Sequence, residues 1–215
     1  MIETSLNIKE NKEIEIYPTE DLMREHDVMH RMLLIYNDAL KYLRGQKMNS
    51  GINIYSIIYN TAMIAQQFIE DYHQRLEEQY VFPKLSSNPK YSELINTLQN
   101  QHNAARKLTN NIIYSSIKNT CYFENNLQLI QLLSLYINMY DPHSAREDTV
   151  IFPAFHEVVN PEEFKELGDL FEKIEEQKFG EDGFKHIVNK VTNIEKALGI
   201  YNLDQFTPIE VNYII

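Results

Sequence analysis

One cysteine, Cys121, stands in the whole chain. It has no partner for an internal disulfide, which fits a reducing compartment and excludes a thiolate metal cluster built within one chain. Basic residues are in the minority, 20 Lys and Arg against 31 Asp and Glu, and no stretch gathers a basic face that could hold a phosphate backbone. No apolar run approaches the roughly 18 residues that span a bilayer. The opening MIETSLNIKENKEIEIYP mixes charges where a signal peptide needs an apolar block. The expectation is a cytoplasmic protein with neither nucleic acid nor membrane as partner. Glycine and proline are scarce as well, 6 and 7 among 215 residues, which disfavours a turn-rich sheet and favours long helices.

What is present fits an all-α fold. Neither glycine nor proline occurs in 19–44, 52–82, 90–141 or 184–198, apart from which they act as punctuation. The 90–141 stretch would make one helix of roughly 80 Å, so it is expected to break at Lys118-Asn119-Thr120, where Asn119 or Thr120 can cap a new helix. Four long helices result. The first is expected to start after Pro18, with Thr19 as N-cap and Glu20 and Asp21 in its first turn. Its apolar stripe, Leu22, His26, Met29, Leu33, Tyr36, Leu40 and Leu43, advances by steps of three and four and contains a histidine. The second stripe holds His73 and the third His102, while the fourth holds His143 and Glu147 together. Two shorter amphipathic segments, about 162–178 and 184–198, flank Phe179-Gly-Glu-Asp-Gly-Phe184 and are expected to pack on the bundle as a helical pair. The division expected is an N-terminal segment 1–18, a helical bundle 19–157 and an extension 158–215.

Residues 73–83 and 143–153 both fit H-x-x-x-E-[DE]-x-x-x-F-P, offset by 70 at every matched position. Each copy follows a helix whose stripe carries one histidine, His26 in Glu25-His26 and His102 in Gln101-His102, so the chain reads as two helical hairpins of one design. Residues four apart share a helix face, which projects His73 with Glu77 and His143 with Glu147. A single stripe histidine is ordinarily a core residue with a satisfied hydrogen bond. Four of them with two matching carboxylates make sense mainly around cations, because burying two glutamates without counter-charge is very costly. The mixed nitrogen and oxygen set suits iron, manganese or zinc. One carboxylate from each hairpin can bridge two ions about 3.5–4 Å apart. The Phe-Pro that closes each motif is expected to cap the core with Phe and stop the helix with Pro.

On these residues, Glu25-His26, His73-x-x-x-Glu77-Glu78 through Phe82-Pro83, Gln101-His102, and His143-x-x-x-Glu147-Asp148 through Phe152-Pro153, the chain resembles the hemerythrin-like proteins with the HHE cation-binding domain. The likeness covers about 19–157, and the tail looks like the extension of one bacterial branch of such proteins. It implies an up-down-up-down four-helix bundle with a non-haem di-iron centre, Glu77 and Glu147 bridging and His26, His73, His102 and His143 as terminal ligands. Oxygen-carrying hemerythrins have a second histidine four residues after the one on the third helix, and this chain has Arg106 there. His30, four residues after His26, is a candidate for that further ligand. Without it the set gives about four protein bonds per ion against the six that iron prefers, and a bridging oxide or hydroxide brings each to about five. Such open positions suit dioxygen, hydrogen peroxide or nitric oxide. A second departure, Pro142 before His143, deletes one helix hydrogen bond and is expected to bend the fourth helix.

The neighbours divide between bland and sharper readings. Glu78 and Asp148 point about 100° further round, toward a neighbouring helix or solvent, although Asp148, five residues after His143, is an alternative to Glu147. Glu70, three residues before His73, is placed to accept a proton from a ligand imidazole or to sit at the surface. Tyr72, Tyr80, Tyr136 and Tyr140 lie near the ligand turns, as core residues with bonded hydroxyls or as phenols that contact the metal. His156 and His186 have no carboxylate partner at suitable spacing. The leading function is a di-iron protein that binds or reduces a small oxidant, an oxidoreductase if it turns over. The alternatives are an iron- or oxygen-responsive sensor or store acting through a partner, and, ranked last for want of an N-terminal cysteine, repair of iron centres.

Overall fold

The computed structural model describes residues 17–49, 51–118 and 123–208, and these are all-helical. Helix α1 spans Pro18–Leu43. A second rod runs from α2 (Ile54–Ile64) through a π-helical stretch (Ala65–His73), α3 (Gln74–Leu76), a second π-helical stretch (Glu77–Val81) and α4 (Phe82–Leu85). The third rod is α5 (Ser92–Lys118). The fourth comprises α6 (Phe123–Arg146), a π-helical stretch (Glu147–Ile151) and α7 (Phe152–Val158). Two further helices follow, α8 (Pro161–Phe179) and α9 (Gly183–Leu198), and then a 3₁₀ turn, Leu203–Phe206. Among the described residues no helix is long and apolar enough to cross a membrane.

Helices α1 and α5 share the same two main neighbours, α2 and α6, and the far ends of the second and fourth rods meet where α4 touches α7. The whole stripe of α1 faces inward, and Tyr36, Tyr136, Tyr140, Phe68, Phe82 and Phe152 are fully buried between the rods. At roughly 25 cal/mol per Å² of apolar surface, these rings dominate the burial that offsets chain entropy. The extension is bound to this core by apolar and ionic contacts. Helices α8 and α9 pack on each other and on α1. The Arg31 guanidinium donates two hydrogen bonds to Glu195 of α9, at 3.0 and 2.5 Å, in the bidentate geometry that makes such pairs strong.

Several local expectations change. The N-cap of α1 is Tyr17, with no side-chain cap bond, and Pro18 rather than Thr19 opens the helix, since proline's fixed φ suits a first turn whose N–H has no acceptor. Pro83 and Pro153 do not stop their helices, which continue to Leu85 and Val158. Each lies just past a π-helical stretch, where the change of hydrogen-bond register leaves a backbone group unpaired and a missing N–H costs little. Helix α6 carries Pro142 in its interior and runs on past it to Arg146. Helix α5 is described as far as Lys118; the expected break at Lys118-Asn119-Thr120 falls on residues outside those described, as does Cys121.

Candidate metal centre

The motif residues sit where the rods widen. A π turn takes in an additional residue, so Tyr72, His73, Gln74, Leu76 and Glu77 are all buried, more than one α-helical stripe would turn inward. His26 from α1 joins His73 and Glu77 in one group of donor atoms, and His102 from α5 joins His143 and Glu147 in another. All six residues are buried. The carboxylates span both groups. Glu77 Oε2 lies 3.5 Å from His73 Nε2 and 3.4 Å from His102 Nε2. Glu147 Oε2 lies 3.4 Å from His26 Nε2 and 3.1 Å from His143 Nε2, and its Oε1 is 3.7 Å from His102 Nε2.

The outer nitrogen of every ring is held by an acceptor. His73 Nδ1 meets Glu25 Oε2 at 2.6 Å and His26 Nδ1 meets Asp148 Oδ1 at 2.7 Å. His102 Nδ1 meets Glu78 Oε1 at 3.1 Å and His143 Nδ1 meets Gln101 Oε1 at 2.8 Å. Ionised carboxylate and amide oxygens only accept, so these partners place a proton on each Nδ1, and a ring that carries no second proton turns its Nε2 lone pair inward. His26 Nε2 and His73 Nε2 are 3.0 Å apart, a separation that either a shared proton or a shared metal ion holds together. Two nitrogens bonded at right angles to one ion, at about 2.1 Å each, stand about 3.0 Å apart. Both oxygens of Glu77, both of Glu147, and His102 Nε2 are buried without a hydrogen-bond partner. Buried polar atoms of this kind call for a partner, and a cation between them supplies it, so the residues present fit a metal.

Electrostatics point the same way. Burial and the neighbouring Glu147 charge push Glu77 well above the usual carboxylate range. Burial also works to raise Glu147, but His143, His102 and His26 outweigh it and hold that carboxyl well below its usual value. For His26, burial is overcome by Asp148 and Glu147, which raise the ring to about 9. The site is thus short of positive charge, and its imidazoles and carboxylates compete for protons that metal would replace. Rings close the end of the site: Phe152 stacks on His26 at 5.6 Å between centroids, and Phe82 stacks on His102 at 5.4 Å.

The other sequence candidates fall elsewhere. His30 is not brought into either group; its Nε2 faces the Ser144 hydroxyl at 3.2 Å, and the side chain is 43% exposed beside Asp141. Glu70 accepts a hydrogen bond from Thr109, not from a ligand imidazole. Tyr140 is buried with its ring 5.4 Å from that of His143, and its hydroxyl accepts from Gln74 Nε2 at 2.7 Å. Tyr136 packs against Tyr140, while Tyr80 leans on Phe171 of α8. His156 and His186 are exposed. Glu78 and Asp148 do reach a neighbouring helix, each onto a histidine. Sequence reasoning missed the parts of Glu25 and Gln101. The available signal was that each immediately precedes a stripe histidine, with the same offset of 76 as His26 and His102.

Comparison with protein families matches residues 17–155 to the hemerythrin HHE cation-binding domain. Uncharacterized proteins of Mycobacterium bovis and of two Mycobacterium tuberculosis strains are each 41% identical to the chain over 198 residues, covering 92% of it and 76% of the relative. No solved structure matches. The doubled motif, the buried histidine and glutamate groups and the extent of the match together make this chain a member of the hemerythrin HHE cation-binding family.

Proposed function

We propose that the chain is an up-down-up-down four-helix bundle, over residues 19–157, that holds two iron ions and uses them to bind or reduce a small oxidant, with residues 158–215 as an appended helical region. The observation that carries this reading is the inward set of four imidazole Nε2 atoms around two unpartnered carboxylates, each ring oriented from behind by an acceptor on its Nδ1. His26 and His73 would hold one ion, His102 and His143 the other, and Glu77 and Glu147 would reach both. Manganese or zinc could substitute, since the donor set is shared among these metals.

Two redox-active ions held by these six groups would supply electrons to dioxygen, hydrogen peroxide or nitric oxide. The chain's own residues orient and shield. Glu25, Asp148, Glu78 and Gln101 fix ring orientation and raise ring basicity. Phe82 and Phe152 keep water from the bridged end. The His143 ring is enclosed by Gln101 and by Tyr140, whose hydroxyl accepts from Gln74, and a wall packed this closely suits a small ligand better than a large substrate. The test is iron-loaded protein mixed with hydrogen peroxide, dioxygen or nitric oxide, followed optically and with an oxygen electrode. An optical change saturating with one of the three, with or without turnover, is expected. Inertness toward all three would contradict the reading.

A further inference from the structure

A second group of acids lies outside the centre. Asp21, Glu25 and Glu175 each place an oxygen within 4.8 Å of the other two. Asp21 and Glu25 belong to α1 and Glu175 to α8. Asp21 and Glu175, though not Glu25, line a cleft of about 420 Å³ between these helices and the turn before α9. The cleft is lined by seven carboxylates, Glu172 and Glu181 among them, against only Arg24 and Lys173.

The Phe179-Gly-Glu-Asp-Gly-Phe184 turn shapes this place. Gly180 takes φ +81°, open to glycine, and a Cβ on Gly183 would lie 2.7 Å from that of Phe179, so the turn closes tightly. That brings the Phe184 N–H onto Glu175 Oε1 at 2.8 Å, which fixes the Glu175 carboxylate. The flanking ring of Phe179 packs edge-on against Tyr72 at 5.4 Å.

Two buried polar atoms at this group lack partners. The Tyr72 hydroxyl lies near the Glu25 carboxylate without closing a bond of good geometry, so it and Glu25 Oε1 both stay without a full partner, and both residues are 1% exposed. The phenol belongs to the neighbouring rod and lies close enough to feel the charges of Glu25, Glu175 and Asp21. Burial, opposed by Arg24 and reinforced by Glu175, raises Asp21 to about 6, the mark of a carboxylate with too little positive charge near it.

We propose that Asp21, Glu25 and Glu175 form a third cation site, oxygen-only, for a divalent ion of the manganous or ferrous kind. Three carboxylates are the ligand type that a hard cation prefers, and a small inward movement of their oxygens would bring them onto one ion. Glu25 stands between this site and the centre, with Oε2 on His73 Nδ1 and Oε1 unpartnered. An ion held here is one carboxylate away from His73, and the acidic cleft concentrates cations from solvent ahead of it. The site is an antechamber for the ions that the centre takes up. This role rests on the metal centre proposed above, whereas the site itself does not.

The experiment is a Mn(II) titration of the metal-free full chain, following free manganese by electron paramagnetic resonance, for wild type and for the pair Asp21→Asn with Glu175→Gln. These amides keep an acceptor for Arg24 and for the Phe184 N–H, so the turn is retained. The expected result is three manganese ions per chain in the wild type and two in the variant, with the variant filling those two several-fold more slowly. Equal counts in the two proteins would overturn the site, and equal filling rates would overturn the antechamber role. One ion in the wild type and none in the variant would support this site while refuting the two-metal centre. Loss of every ion in the variant from a wild-type count of three would overturn the separation of the two.

Discussion

The two buried histidine and glutamate groups have the same side-chain types and differ in what stands behind them. In the first half, His26 and His73 are backed by the carboxylates of Asp148 and Glu25. In the second, His102 is backed by Glu78, whose Oε1 also accepts from Arg106 at 2.7 Å, and His143 is backed by the neutral amide of Gln101. The repeat that pairs Glu25 with Gln101, and Asp148 with Glu78, has therefore kept the hydrogen bond and varied the charge. Backing carboxylates make an imidazole a stronger donor. The account predicts that the first half holds its ion more tightly and at higher charge than the second.

The largest effects should abolish both halves at once. Glu77→Ala or Glu147→Ala removes a group that reaches histidines of both halves, and each is expected to lose most bound iron by metal analysis. If Asp148→Ala instead empties the site while Glu147→Ala leaves it full, the fourth rod uses the five-residue spacing and the assignment of Glu147 is wrong.

Smaller changes should separate the halves. Asp148→Ala is expected to weaken one of two stepwise binding constants by about 10-fold to 100-fold. Glu78→Ala should weaken the other by less, since the Glu78 charge is already shared with Arg106. Gln101→Glu is expected to tighten that same constant. A competition titration against a chelator resolves the two, and indistinguishable shifts in Asp148→Ala and Glu78→Ala would dissolve the difference between the halves.

The negative surplus near the first half should also show as a pH dependence of the metal-free protein. Asp21, raised by burial to about 6 from 3.8, binds its proton more tightly folded than unfolded. Its contribution to stability is therefore fully present below about pH 4 and lost as pH rises through about 6, a fall on the order of 2–3 kcal/mol. Asp21→Asn should flatten that slope in denaturant titrations at pH 4 and pH 7; an unchanged slope would place the surplus elsewhere. The smallest effect belongs to His30→Ala, which is expected to leave iron content and optical spectrum unaltered. Its partly exposed ring meets the buried Ser144 hydroxyl, outside both halves.

Much of this was readable in the order of residues. Stripe spacing placed His26, His73, His102 and His143 inward, and an exact repeat made the two carboxylates stand out, because both signals depend only on helical period. The π-helical stretches were not legible: one additional residue per turn leaves no mark in a period-3.6 pattern, yet it turns Gln74 inward beside His73. Nor was the destination of Glu78 and Asp148, since their angle on the helix was clear but the neighbour they meet depends on how rods pack. Glu70 shows the converse. Its spacing from His73 was suitable, but Thr109 on α5 lies closer to its carboxylate than any ligand ring does.

The central claim, that six buried groups hold two ions, is tested most directly by metal analysis and an optical spectrum of protein purified without added metal. The account predicts iron near two per chain with absorption in the oxygen-to-iron charge-transfer region. A colourless protein carrying no iron, or one holding no more than a single ion per chain after loading, would contradict it.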